Sequence, residues 1–246
     1  MPRFFVGTDQ ISDKNIVITG TDVNHIRNVL RMAPGEEVTV SDGQGMDYFC
    51  KIAELTKEEV RLDIIDSWHS FVELPAKIYL FQGLPKADKM ELIIQKAVEL
   101  GVYEIVPVAT KRAVVKLDAK KEEKKRLRWQ SIAESAAKQA GRALIPQVAP
   151  CMNFDKALRM CNGLDAALIP YEKAEGMQHA RDQVRALHGK HSIGIFIGPE
   201  GGFEESEIEA ARGAGAGPIT LGHRILRTET AGLTMLSILM FELEED

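Results

Sequence analysis

The sequence contains few of the residues that build covalent or metal-bound frameworks. Its three cysteines (Cys50, Cys151 and Cys161) are odd in number, and their spacing is not that of a zinc site. The longest uncharged apolar stretch, 231–241, is shorter than the roughly 20 residues that a membrane-spanning helix needs. The first residues, MPRFFVG, lack the apolar region and cleavage site of a signal peptide. We therefore expect a protein of the reduced cytoplasm, with no metal site and no membrane partner.

Several catalytic signatures are also missing from the chain. There is no Walker A motif, no nucleophile elbow and no His-Glu zinc motif, so P-loop hydrolysis, serine hydrolysis and zincin chemistry have no support. The glycine run GAGAG at 213–217 follows a predicted helix and precedes a predicted strand, which reverses the order of a dinucleotide-binding loop. We interpret this run as the end of a helix.

Charge is distributed unevenly along the chain. The net charge is −5, which argues against wholesale wrapping of nucleic acid. Residues 1–74 contain 7 Lys and Arg against 13 Asp and Glu, whereas residues 75–246 contain 24 against 23. Any nucleic-acid contact must therefore come from local basic patches.

The first 72 residues have the pattern of a small β-structure. Short β-branched or aromatic runs alternate with turn signals such as Asp42-Gly43, which predicts a β-barrel over 1–72. One helix interrupts it, with Thr21 as its cap and Val23, Ile26 and Leu30 at helical spacing. Residues 73–75 are the expected linker.

From residue 75 to the end at 246, apolar strands alternate with amphipathic helices, which is typical of a mostly parallel sheet covered by helices. The predicted helices include one that opens with a capping box of Asp88 and Glu91, one over 118–140, and one over 230–243 that is apolar on nearly all sides. This last helix is either buried in the chain or half of a dimer interface. The predicted strands are AKIYLFQ, YEIVPVA, AALIP, SIGIFIG and PITLG.

Two backbone-rich loops each leave a predicted strand and enter a helix. GPEGG at 198–202 and GHRILRTET at 222–230 would both lie outside the carboxyl ends of the sheet, where open parallel sheets bind ligands. Their main-chain groups can bind the edges of a purine, with Leu221, Ile225 and Leu226 against its faces, and Thr228 and Glu229 can cap the last helix. Taken alone, GPEGG is equally well explained as a tight turn.

Six ordered motifs, from end to end of the chain, resemble those of one known family. They are MPRFFV, HIRNVLRM, LPKADKMELIIQKAVELGV, KQAGR, IGPEGGF and LGHRILRTETAGL. The sequence resembles the RsmE family, bacterial methyltransferases of the SPOUT class that methylate N3 of a uridine in the 16S RNA of the small ribosomal subunit. The resemblance implies a PUA-like RNA-binding barrel, an α/β domain with a trefoil knot that holds S-adenosylmethionine, and a homodimer in which the partner subunit completes the site.

The resemblance also implies roles for individual residues. The implied cofactor contacts are Leu168, Ile169, Pro170, Ile197, Gly198, Pro199, Glu200, Gly201, Gly202, Leu221, Gly222, Ile225, Leu226, Arg227, Thr228, Glu229 and Thr230. Arg142 matches the family pattern, whereas Lys138 stands where relatives often have Glu and Ala140 where a small polar residue is common.

Methylation at N3 of uracil requires loss of the imide proton and stabilisation of the enolate charge, for which an arginine is suited. We expect Arg142 to orient the uridine or its phosphate, with Arg227 as the second candidate. Glu229 is either the base or a helix cap, and both interpretations stay open.

The expected RNA contacts are Arg and His residues of the barrel and one Lys of the larger domain. They are Arg3, His25, Arg27, Arg31 and Lys86. For the basic run at 120–128, a solvated helix face with internal ion pairs is favoured over RNA binding, because Glu122 and Glu123 are in register with later lysines.

Two rival functions are compatible with the pattern. One is a SPOUT methyltransferase acting on ribose 2′-hydroxyls of RNA, and the other is a non-catalytic RNA-binding factor of ribosome assembly. The intact GPEGG and ILRTET loops speak against the second, because loss of cofactor binding would be expected to alter them first.

Overall fold

The computed structural model describes residues 1–115, 118–174 and 176–244, which form two compact units. The first unit contains Met1–Glu73 together with Ala137–Ile145, and the second contains Leu74–Ala136 with the described residues from Pro146 onward. The sequence-based division assigns 137–145 to the second domain. This segment lies in the first unit because Ala143 bonds there: its amide donates to Glu73 Oε1 at 2.8 Å, and its carbonyl accepts from Ser41 Oγ at 2.9 Å.

The first unit is built on a five-stranded sheet in the order β1-β3-β4-β5-β2. Strands β1 and β3 are parallel and all other pairs are antiparallel. The sheet forms a half-barrel with β1 and β2 at its two ends. Alternate residues of each strand fill one apolar core, as period-two patterning predicts. The strands are β1 Arg3–Phe5, β2 Asn15–Thr19, β3 Glu37–Ser41, β4 Met46–Leu55 and β5 Glu59–His69.

The helical insertion of this unit has a different N-cap and a wider end than predicted. Helix α1, Thr21–Asn24, has Gly20 rather than Thr21 at its N-cap and continues into a π-helical turn over 25–29. The Leu30 amide bonds the carbonyl five residues earlier, at 2.9 Å, so the helical repeat shifts. Ile26 is buried as predicted, but Leu30 is 40% exposed, and Met32 packs against the core instead.

The second unit is built on a seven-stranded sheet in which every pair is parallel, with the order β12-β10-β11-β6-β7-β8 and β9 beside β7. The prediction of a mostly parallel sheet is confirmed. The strands are β6 Lys77–Gly83, β7 Glu104–Ala109, β8 Gln147–Val148, β9 Met152–Asn153, β10 Ala166–Pro170, β11 Ser192–Ile197 and β12 Ala216–Ile219. Leu221 and Gly222, predicted as a strand end, lie in the loop that follows β12.

Helices cover the faces of this sheet. They are α2 Lys89–Glu99, α3 Ala119–Ala140, α4 Phe154–Cys161, α5 Met177–Arg185, α6 Glu205–Gly213 and α7 Thr228–Leu243. The predicted capping box of α2 is wrong, because Asp88 makes no side-chain cap bond and Glu91 instead pairs with Arg128 at 2.6 Å. No helix among the described residues is long and apolar enough to cross a bilayer.

Helix α7 has two apolar faces. Met235, Leu236 and Leu239 are fully buried, and the helix packs against α2. Phe241, by contrast, is 83% exposed and Ile238 is 38% exposed. Burial in the chain therefore accounts for only one of the two apolar faces.

Candidate active site

The loops that follow β10, β11 and β12 meet at one edge of the sheet, because these neighbouring strands are parallel and their carboxyl ends coincide. They enclose a cavity of about 780 Å³, within the usual range for a small-molecule site. Its described lining consists of Lys89, Arg112, Pro170, Tyr171, Glu172, Ala174, Gly176, Met177, Ile197, Gly198, Pro199, Glu200, Gly201, Gly202, Phe203, Thr220, Leu221, Gly222, His223, Arg224, Ile225, Leu226, Arg227, Thr228 and Ala231.

Most of the residues assigned to cofactor contact line this cavity. The structure brings together Pro170, residues 197–202, Leu221, Gly222 and residues 225–228. The other four assigned residues are absent from the lining: Leu168 and Ile169 are buried within β10, and Glu229 and Thr230 lie on α7. Direct contact of any of these residues with a cofactor stays a prediction.

The GPEGG loop depends on close backbone packing. A Cβ atom on Gly83, at the end of β6, would lie 2.7 Å from both the backbone nitrogen and Cδ of Pro199. A Cβ atom on Gly198 would lie 3.1 Å from the backbone of Gly202, whose φ of 66° is in the left-handed region. Glycine at these positions is therefore required for the loop to lie where it does.

Thr228 connects the start of α7 to this loop. Its hydroxyl donates to the carbonyl of Gly198 at 2.6 Å and accepts from Gln82 Nε2 at 2.9 Å. All three groups are largely or fully buried, and Gln82 has no exposed surface. The predicted capping by Thr228 and Glu229 is wrong, because Arg227 occupies the N-cap of α7 and no side chain caps it. The threonine hydroxyl is used instead to join two loops.

Lys89, on the first turn of α2, lies between two carboxylates. Its Nζ is 3.1 Å from Glu200 Oε1 and 3.3 Å from Glu229 Oε2, the latter being an ion-pair contact without hydrogen-bond geometry. Partial burial alone would raise the pKa of Glu200, but its own amide, the Lys86 amide and Lys89 outweigh burial and hold that pKa below its ordinary value. The hydrogen bond to Glu200 raises the pKa of Lys89.

Two anchors of the cavity were missed because neither belongs to a loop motif. Lys89 is part of the recognised stretch LPKADKM but was given no role there, and Arg112 follows β7 in a segment that carries no recognised pattern. Gln82 was predicted only as a strand residue. The physical signal available was position: each follows or ends a strand at the same edge of the parallel sheet.

The residues predicted to bind RNA differ in exposure. His25, Arg27 and Arg31 are exposed on and beside the π-helical turn, and Arg31 has a φ of 54°. Arg3 is instead largely buried, with Nη1 donating to Asp47 Oδ1 at 2.7 Å. Lys86 is exposed in the second unit and does not line the cavity.

Arg142 lies in the first unit and is 4% exposed. Its Nε donates to Glu73 Oε2 at 2.9 Å, and the amides of Ala143 and Leu144 donate to the same carboxylate. This buried ion pair closes the linker onto the segment 141–144. The catalytic role assigned to Arg142 stays a prediction, and the geometry gives the side chain a structural partner.

The described residues contain no group of three or more His, Cys, Asp or Glu side chains that is arranged to hold a metal ion. Half of the described cations in the basic run at 120–128 are paired: Arg126 contacts Glu123 at 3.0 Å, Lys121 contacts Asp118 at 3.1 Å, and Arg128 contacts Glu91 of α2 at 2.6 Å. These pairs favour a solvated helix face over a free cationic patch.

Comparison with known proteins agrees with this architecture. Residues 72–240 match the family model of the RNA methyltransferase domain, and residues 18–65 match that of the RNA methyltransferase PUA domain. The chain is 38% identical over 250 residues to ribosomal RNA small subunit methyltransferase E of Bacillus subtilis, covering 99% of this chain and 98% of the relative. It is 32% identical to the protein of the same name from Mesomycoplasma hyopneumoniae, covering 96% and 98%.

A solved structure shows the same agreement in three dimensions. The ribosomal RNA small subunit methyltransferase E of Neisseria gonorrhoeae, determined with bound S-adenosyl methionine, superimposes with a TM-score of 0.84 at 33% identity, covering 98% of this chain and 97% of that one. The chain therefore belongs to the ribosomal RNA small subunit methyltransferase E family of RNA methyltransferases.

Proposed function

We propose that this RNA methyltransferase transfers a methyl group from S-adenosylmethionine to N3 of one uridine in the 16S RNA of the small ribosomal subunit. The observation that carries the proposal is the cavity of about 780 Å³ where the loops after β10, β11 and β12 converge. Full-length relatives named for this class of activity support the RNA substrate. The uridine and the position N3 rest on the family resemblance.

The residues of the cavity fit S-adenosylmethionine in size and character. Leu221, Ile225 and Leu226 supply apolar surface for a flat ring, and the glycine-rich backbone at 198–202 lets main-chain groups approach closely. A relative of the same fold was solved with this molecule bound. When bound, the molecule supplies an electrophilic methyl group on a sulfonium.

The chain's own contribution is to hold the base and stabilise the charge left when the N3 proton is lost. Arg227 lines the cavity, is exposed, and has no carboxylate partner among the described residues. We assign it the stabilisation of negative charge on O2 or O4 of the uracil. Glu229 is a weaker candidate for the base, because its Oε2 is buried beside Lys89 and does not line the cavity.

The RNA and partner contacts are proposed on exposed surface. In the first unit, His25, Arg27 and Arg31 form a cationic, aromatic-flanked surface suited to RNA. In the second unit, the exposed face of α7 forms a shallow groove with Ile238 and Phe241, which we assign to a homodimer contact. A cytoplasmic location and the trefoil knot belong to the same proposal.

The test is transfer of labelled methyl to small ribosomal subunits from a strain that lacks the modification, followed by mass spectrometry of the nucleosides. N3-methyluridine is expected. A ribose 2′-O-methylated nucleoside would favour the rival SPOUT activity. Persistent RNA binding without any binding of S-adenosylmethionine in calorimetry would favour a non-catalytic assembly factor.

Arg142→Ala separates a catalytic role from a structural one. Loss of methyl transfer with unchanged cofactor binding and an unchanged melting temperature supports the predicted orientation of the uridine. If Arg142→Ala and Glu73→Gln both lower the melting temperature, the role of Arg142 is that of the buried ion pair alone, because each change leaves one buried partner without its counterpart.

A further inference from the structure

Arg112 lines the cavity although it belongs to no motif of the cofactor loops. It lies three residues after β7, in an exposed segment. Its Nη1 donates to the carbonyl of Gly201 at 3.1 Å. Within the described part of the chain its Nε and Nη2 make no hydrogen bond and no carboxylate pairs with it, so donors of this guanidinium are available at the cavity.

The backbone beside Arg112 is fixed by a buried carboxylate. Glu207 is 3% exposed, and its Oε1 accepts the Lys111 amide at 2.9 Å while its Oε2 accepts the Glu204 amide at 2.9 Å. A buried carboxylate is costly unless it is bonded in this way. The same group thus completes the capping box of α6 and sets the position of the residue that precedes Arg112.

Gly201 leaves the room that Arg112 occupies. A Cβ atom on Gly201 would lie 3.2 Å from Arg112 Cβ, closer than an ordinary contact, and 3.6 Å from its carbonyl oxygen. The arginine therefore packs directly on the loop and is oriented by the loop's carbonyl. The guanidinium is therefore attached to the loop through one hydrogen bond while it remains exposed.

The cavity has more positive charge than binding of the methyl donor, S-adenosylmethionine, requires. The described lining contains four Lys and Arg side chains against Glu172 and Glu200, and the Lys89 contact neutralises Glu200. S-adenosylmethionine is itself a net cation at neutral pH, with a sulfonium and an ammonium against one carboxylate. The excess of arginine therefore suits a second, anionic ligand of the same cavity.

Because the reaction brings an RNA base to this cavity, we propose that Arg112 binds the phosphodiester of the target nucleotide or its neighbour at the cavity mouth. A planar guanidinium suits phosphate oxygens through charge-assisted hydrogen bonds. The proposal rests on the proposed function and adds a substrate-binding residue to it. The Gly201 carbonyl holds one edge of the guanidinium and leaves the others for the phosphate.

The test compares Arg112→Met with a matched control one residue away. Lys111→Met also removes one positive charge, but Lys111 does not line the cavity and its Nζ is 2.9 Å from Ser206 Oγ. The measurements are KM for small ribosomal subunits in the methyl-transfer assay, direct binding of the subunits, and the dissociation constant of S-adenosylmethionine by calorimetry.

Arg112→Met is expected to raise the subunit KM about tenfold and to leave cofactor affinity within about twofold, which is the effect of losing one phosphate contact. The dependence of log KM on log salt is expected to become shallower by about 0.7, the value for one single-stranded phosphate. The subunit KM of Arg112→Lys should lie between those of Arg112→Met and the wild type, because lysine keeps the positive charge but loses the planar, two-pronged donor geometry of arginine. Lys111→Met should behave like wild type.

Three outcomes overturn the proposal. An unchanged subunit KM removes any contact with RNA. A loss of cofactor affinity as large as the rise in subunit KM shows that Arg112 acts only on the loop at Gly201. If Lys111→Met changes the subunit KM as much as Arg112→Met does, the effect comes from long-range charge and not from a contact. A wild-type protein that methylates no subunit refutes the proposed function instead, and subunit binding by the two Met variants still decides the role of Arg112.

Discussion

Thr228→Val is the sharpest test of how the loops around the cavity are held together. The substitution keeps the shape of the side chain and removes its hydroxyl. That hydroxyl donates to Gly198 at 2.6 Å and accepts from Gln82 at 2.9 Å, and Thr228 is 5% exposed. After the change, the Gly198 carbonyl loses its donor. Gln82 Nε2 keeps only its bond to the Gly83 carbonyl at 3.0 Å.

The expected loss of stability follows from these contacts. A buried polar group left without its partner costs about 1–3 kcal/mol, so we expect about 2 kcal/mol for Thr228→Val. In a chain of this size that corresponds to a fall in melting temperature of roughly 4–8 °C. Since the same bond fixes the GPEGG loop, the affinity for S-adenosylmethionine should fall by up to about thirtyfold.

The assay is thermal unfolding with and without S-adenosylmethionine, together with calorimetric titration of the cofactor. Thr228→Ser is the matched control, because it keeps the hydroxyl and loses only a methyl group. It should restore most of the affinity. A Thr228→Val protein that melts within a degree of wild type and binds the cofactor within twofold would show that the hydroxyl does not hold the two loops together.

Three further predictions address other contacts. Gly83→Ala should displace the cofactor loop and reduce cofactor affinity at least tenfold in calorimetry, because its Cβ would lie 2.7 Å from the backbone of Pro199, which cannot move aside cheaply. The folded pKa of Glu200 is lowered, so its pairing with Lys89 is present above the ordinary glutamate pKa of about 4.3 and is lost as the pH falls below it. Cofactor binding should therefore be constant from pH 8 to 5 and decrease below about pH 4. Glu200→Gln should remove this pH dependence. Burial raises the pKa of Cys50 to about 12, so at pH 8.5 roughly one molecule in 3,000 has the thiolate, against about half for an ordinary thiol. Alkylation of Cys50 in the native protein, followed by mass spectrometry, should therefore be slow. Rapid labelling would contradict the burial.

The strands of the second unit were predictable because central parallel strands are apolar on both faces. The run AALIP coincides with β10, which lies between β12 and β11 and is buried along its middle. The predicted helix over 118–140 differs from α3 by one residue. Long periodic patterns and short continuous apolar runs carry this information locally, so no knowledge of the tertiary structure was needed.

The helix caps were not predictable from the same sequence. Thr228 and Asp88 are residue types that favour the N-cap position, yet Thr228 lies inside α7, and Asp88 occupies the N-cap of α2 without a side-chain cap bond. Thr228 bonds Gly198, 30 residues earlier in the chain, and Gln82, 146 residues earlier. Capping propensity is worth about 1 kcal/mol, which a pair of buried tertiary hydrogen bonds exceeds. Tertiary hydrogen bonds therefore outweigh the local N-cap preference of Thr228 at this cavity.

The π-helical turn of the first unit was missed for a related reason. Val23, Ile26 and Leu30 fit a helix of ordinary period, but the widened turn places Leu30 at the surface and Met32 against the core. The ordinary register would bury all three side chains, whereas the observed one buries Val23 and Ile26 and packs Met32 against the core, and apolar spacing alone does not reveal where a turn widens.

The anchors of the cavity obey one rule that extends beyond the three cofactor loops. Gln82 and Lys89 stand at and after the end of β6, and Arg112 stands after β7; each contacts the loop after β11 or the start of α7. In a parallel sheet every carboxyl end lies at one edge, and β6 is the neighbour of β11. The site therefore draws on five consecutive strands, although only three of them end in glycine-rich or backbone-rich loops. It follows that the end of β6 and the short segments after β6 and β7 supply side chains that contact these loops without belonging to any loop motif. A search confined to such motifs finds the loops that line the cavity but not the side chains that hold them in place.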